Sequence, residues 1–72
     1  MNKDQKIVLE WLQEELEQHP LTNVLWLLTD DALELNYDTY VSEAWNRLDM
    51  LQELQVLNAF AELELEELTA YE

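Results

Sequence analysis

Carboxylates are the main chemical resource of this chain. Seventeen of its 72 residues are Asp or Glu, beside one His, one Ser and no Cys. Nucleophilic catalysis needs a Ser, Cys or Thr next to a base that is itself oriented. Ser42 and His19 lie in different segments. His19 falls at the expected end of a helix, where an imidazole meets free carbonyls and the negative end of the helix dipole. Neither residue therefore points to a catalytic pair.

Metal binding is the next chemistry to weigh. Asp30, Asp31 and Glu34 are close in sequence, as are Glu62, Glu64, Glu66 and Glu67. A hard cation needs several oxygens converging on one point. A calcium loop starting at Asp30 would place Val41 where the bidentate acid belongs, and its mid-loop glycine is missing. Glu15 and His19 share a helix face at i, i+4, but there is no second histidine. Carboxylate pairs for glycoside-type work also need a pocket with polar positioning groups, which a short glycine-free chain rarely builds. The expectation is a non-enzymatic protein with no metal and no cofactor.

The charge itself is the strongest signal. With three Lys+Arg, the formal net charge is −14. Residues 4–19 carry five acids to one Lys, and residues 48–72 carry seven acids and no base. Such a chain repels nucleic acid, whose binding rests on cations neutralising phosphates, and repels anionic membrane surfaces. Solubility of a small domain is served by a net charge of about 2–8 in magnitude. The surplus fits electrostatic steering of a positively charged partner.

A core must position these acids. Apolar residues make up 49% of the chain, including 16 Leu and three Trp, too many for an acidic disordered tail. The length allows one domain, spanning residues 1–72. With no Cys there is no disulfide framework. With no Gly and one Pro, long helices are favoured. No apolar run approaches the ~18 residues that cross a bilayer, and the first residues do not form a signal-peptide block. A cytoplasmic location is expected.

Ile7, Val8, Trp11, Leu12 and Leu16 recur at helical spacing and predict a helix over 4–19, capped by Asp4 and stopped by Pro20. Leu21, Leu25, Leu28, Ala32 and Leu35 predict a second helix over 22–35, with Thr22 as a cap and Asn36 as its stop. A β-hairpin at about 23–41 competes with it, with Val24–Leu28 as one strand, a turn at Thr29-Asp30-Asp31, and alternation from Leu33 to Val41 as the other. Residues 39–70 read as one long helical tract capped by Asp38 or Thr39. Within it, Val41, Ala44, Trp45, Leu48 and Leu51 form one stripe. Leu54, Leu57, Ala61 and Leu68 form a second, rotated stripe. Residues 56–61 are apolar almost all round, which calls either for a partner chain or for a bend near Asn58. The alternating tail 61–68 stays helical on the propensities of Leu and Glu.

These readings combine into an all-α fold of two or three helices, dimeric through the faces around Trp45–Phe60. The α+β hairpin fold is the alternative. The expected function is binding of a protein partner: itself, and a basic, nucleic-acid-binding protein that the chain would mask by DNA mimicry. By charge and size alone, that parallels small acidic inhibitors carried by phages and mobile elements. Glu10, Glu14, Glu17, Asp30, Asp31, Glu34, Glu62, Glu64, Glu66 and Glu67 would form the contact surface. The alternative function is a structural or assembly subunit, acting through Trp26, Leu27, Trp45, Val56 and Phe60, with acidity serving solubility alone.

Overall fold

Asn2 starts the first helix. Its backbone is extended, its Oδ1 accepts from Gln5 N at 2.8 Å, and Gln5 Oε1 accepts from Asn2 N at 2.8 Å. This reciprocal capping box satisfies two donors that a helix start leaves free. The expected cap, Asp4, instead lies inside helix α1 (Lys3–Leu16). The computed structural model describes residues 1–29 and 39–70. They contain α1, α2 (Leu21–Thr29), α3 (Thr39–Asn46) and α4 (Met50–Thr69), and no strand.

The all-α expectation holds among the described residues, with four helices where two or three were expected. The hairpin is overturned at both described ends. Val24–Leu28 is helical, and so are residues 39–41. Thr29, the first residue of the supposed turn, is in α2, whereas Asp30, Asp31, most of the second strand, Asn36 and Asp38 lie outside the described residues.

Helix α1 ends at Leu16, earlier than the proline alone implies. No glycine is available for a left-handed stop, so Gln18 N and His19 N both donate to Glu15 O, at 3.0 and 2.9 Å. Pro20 then begins α2 as well as blocking α1. Its carbonyl accepts from Asn23 N and Val24 N, the role expected of an N-cap carbonyl. Thr22 therefore lies within the helix rather than capping it.

The long tract 39–70 is broken at 47–49, not bent at Asn58. Arg47 N shares Glu43 O and Ala44 O, and Leu48 N reaches Trp45 O at 3.1 Å, a tightened final turn. Asp49 is extended, accepts from Gln52 N at 2.8 Å and donates its own N–H to Gln52 Oε1. A second capping box thus restarts the chain as α4. The tail 61–68 is helical, as expected.

Helix α1 packs against each of the other three helices. Val8, Trp11 and Leu12 of α1 meet Val24, Leu27 and Leu28 of α2, Val41 and Ala44 of α3, Leu48, and Val56 and Phe60 of α4 in one core. Gln5 and Ser42 are buried polar residues, and Gln5 links two helices. Its Nε2 donates to Gln52 O at 3.1 Å and to Gln55 Oε1 at 2.9 Å, tying the start of α1 to the start of α4. Both amide hydrogens and the amide oxygen are engaged. Gln5→Leu should therefore lower stability by about 1–3 kcal/mol through stranded partners. Urea unfolding would show this as a lower midpoint at unchanged slope, whereas an unaltered midpoint would mean the clamp is slack.

Candidate functional site

Helices α1 and α4 run side by side in the same direction. Gln5 meets Gln52 and Gln55 at one end, and Glu17 lies near Glu64 and Glu67 at the other. Both C-terminal ends therefore fall at one pole of the molecule. Neither helix carries a basic residue in its last turn, although cations are what the negative end of a helix dipole favours. The chain's bases sit at the other pole. Lys3 and Lys6 are in the first turns of α1. Arg47 clasps Asp4 bidentately, Nε to Oδ2 at 3.1 Å and Nη2 to Oδ1 at 3.0 Å.

At the acidic pole the helices leave an open, mainly apolar groove of about 1080 Å³. Its floor is Leu16, Leu21, Leu25, Leu57, Ala61, Leu65 and Leu68, with an edge of Phe60. Glu17, Glu64 and Glu67 form its rim. Leu65 and Leu68 are 59% and 68% exposed. The cause is that α4 has two apolar faces. Val56 and Phe60, one turn apart, enter the core. The second stripe expected from sequence, Leu54, Leu57, Ala61 and Leu68, is turned away from it, and only Leu57 packs partly against the core.

The ten acids separate into groups. Glu17, Glu64 and Glu67 converge on the groove. Glu10 and Glu14 line a shallower hollow of about 440 Å³ with Ile7, Trp11, Glu15, Tyr40 and Val41. Glu62 and Glu66 are exposed, and Glu62 Oε1 accepts from Asn58 Nδ2 at 3.4 Å. Asp30, Asp31 and Glu34 lie outside the described residues.

The apolar candidates need correction. Leu27, Val56 and Phe60 belong to the chain's own core, and Trp45 packs partly against it. They hold the monomer together rather than lying open for a partner. Trp26 alone of that set is open, at 54% exposure. The groove leucines take its place. Leu57 and Leu68 belong to the second stripe expected from sequence, whereas Leu65 falls on neither stripe, and spacing alone does not say which face of α4 turns inward.

Among the described residues, Ser42 and His19 lie in different segments. Ser42 is buried in α3. His19 Nε2 lies 3.6 Å from Glu15 Oε2, an oxygen that is buried and accepts no hydrogen bond. No group of three His, Asp or Glu is placed to hold a metal ion, and no described helix is long and apolar enough to cross a membrane.

Two carboxylates are perturbed in opposite senses. Partial burial, then the charges of Glu67 and Glu17, hold Glu64 above the usual glutamate value of 4.5. The Arg47 hydrogen bonds hold Asp4 below its usual 3.8. Glu64 binds its proton more tightly folded than unfolded, so its contribution to stability grows as pH falls from neutral toward 4.5. Asp4 works the other way: its contribution is present above 3.8 and disappears as acid protonates it. Thermal melts should therefore show a rise as pH falls from neutral toward 4.5 and a decline below 3.8; a continuous fall from pH 7 would contradict this. No known protein family, curated protein or solved structure matches the chain.

Proposed function

We propose that this chain is a non-enzymatic binding module for a cationic protein. One observation carries the reading: the bases gather at one pole, while the opposite pole joins two helix C-termini, a carboxylate rim and an open apolar groove. This arrangement is unfavourable for the isolated chain. Like charges face one another, and the dipole ends receive acids where cations are preferred. The N-terminus of α2 offsets only part of that negative potential. A cationic partner relieves it.

The finer reading is masking of a basic nucleic-acid-binding protein. Glu10, Glu14 and Glu17 recur along the exposed side of α1, and Glu62 and Glu66 stand out from α4. Carboxylates on rigid helices would occupy positions that phosphates take on a nucleic acid, where basic proteins make most of their contacts. A second reading, an assembly subunit that works by apolar packing, draws on the exposed Leu21, Leu54, Leu65 and Leu68.

The test is capture on immobilised protein, stepwise salt elution and identification of what elutes. The proposal expects basic proteins that leave as salt rises, since exposed charge pairs are screened over about 8 Å at physiological ionic strength. Duplex DNA should compete for them. A captured set no more basic than the input, eluting independently of salt, would overturn the cationic reading. A ternary complex with DNA would overturn the masking reading.

A further inference from the structure

We propose that the α1–α2–α4 groove is the docking site for an amphipathic helix of the cationic partner, with its apolar stripe on the leucine floor and Lys or Arg over Glu17, Glu64 and Glu67. This deepens the cationic-partner reading and rests on it.

The shape comes first. Leu57, Ala61, Leu65 and Leu68 follow one another at spacings of four, four and three on a continuous helix. They present an apolar track about 16 Å long. That length matches about three turns of a partner helix packed alongside. Small-molecule pockets are mostly enclosed and about 300–1,000 Å³. This groove is open, slightly larger and has few polar groups on its floor. A helix laid in a groove uses apolar anchors at i, i+3, i+4 and i+7 and needs no polar contact at the floor.

Charge selects the occupant. Among the described residues every ionisable group on the rim is an acid, and partial burial, then Glu67 and Glu17, already disfavour Glu64 as an anion. A second copy of the chain brings −14 of its own. In a two-fold pairing it would set the same carboxylates against each other. Residues 30–38, which lie outside the described structure, carry Asp30, Asp31, Glu34 and Asp38 and no base. They would meet the same repulsion. A cationic helix instead buries the leucines and neutralises the rim.

Three synthetic helical peptides of about 14 residues, some 20 Å long, test this against the full chain. The first has a leucine stripe flanked by Lys and Arg. The second has the same composition scrambled. The third replaces each base by Glu. Calorimetric titration should give an affinity for the first at least about tenfold above the second, and none for the third. Leu65→Gln and Leu68→Gln, both at exposed positions, should keep the helical circular dichroism. They should lose about tenfold or more toward the first peptide but not the second. Glu64→Gln with Glu67→Gln should weaken the first and flatten its salt dependence.

If the striped and scrambled cationic peptides bind alike and the Leu variants change neither, the groove proposal fails while the cationic-partner reading stands. If no cationic peptide binds, and capture also yields no basic protein, both fail. Equal binding of the acidic peptide would overturn the charge selection. A stable dimer at neutral pH that Leu65→Gln dissociates would identify a second copy as the occupant and overturn the proposal.

Discussion

Leu12→Ala should lower the unfolding free energy by about 2–5 kcal/mol. Leu12 is 0% exposed, on the inner face of α1, which packs against each of the other three helices. Its removal leaves a cavity, and cores at crystal-like density collapse poorly. A chain of 72 residues has a total stability of only about 4–11 kcal/mol at the usual per-residue value. One side chain thus holds a large share of it. The melting temperature should fall by roughly 10–40 °C, given about 4–8 °C per kcal/mol in a domain of this size. Leu68→Ala, at an exposed groove position, should change stability by about 0.5 kcal/mol or less. Paired thermal melts followed by circular dichroism check both. Similar losses from the two variants would mean that the leucines are not divided between core and groove as described.

Reversing the rim should have opposite effects on stability and on binding. In Glu17→Lys, Glu64→Lys, Glu67→Lys, the three lysines repel one another as the glutamates did, but the net charge falls from −14 to about −8 and cations are placed near two helix C-termini, where the dipole favours them. The folded chain should be as stable as the parent at neutral pH, or more so. Association with a cationic partner should slow by about 10- to 1000-fold at low salt, the span over which electrostatic steering acts. An assembly subunit that uses only its leucines would keep its partner after this change. Stopped-flow association beside a thermal melt separates the two functions. Loss of stability would show that the rim supports the fold, contrary to its description as a strained site.

Much of this fold can be read from residue spacing, because helices bury side chains at a fixed period. Val8, Trp11 and Leu12 were expected on the inner face of α1 and are there. The break at 47–49 escaped because the stripe Val41, Ala44, Leu48 runs straight across it. Its signal was chemical rather than periodic: Asp49 followed three residues later by Gln52, like Asn2 and Gln5. Capping overrode periodicity, because two side-chain-to-backbone bonds stabilise a new start wherever a turn can tighten. The site was only half visible. The surplus of acids is compositional and plain, yet no local pattern brings Glu17 beside Glu64 and Glu67. Their approach follows from the parallel packing of α1 and α4, a tertiary fact. Likewise, α4 is apolar almost all round over 56–61, and only packing decides that Val56 and Phe60 turn inward while Leu65 and Leu68 stay out.

The affinity of the leucine-striped basic peptide for the full chain, followed across ionic strength, tests the central claim most directly. Screening lengths shrink from about 30 Å at 0.01 M salt to about 3 Å at 1 M. A cationic helix held by the acidic pole should weaken steeply and continuously over that range, retaining only the residual grip of the leucine floor. An affinity that stays level from low to high salt would contradict the claim.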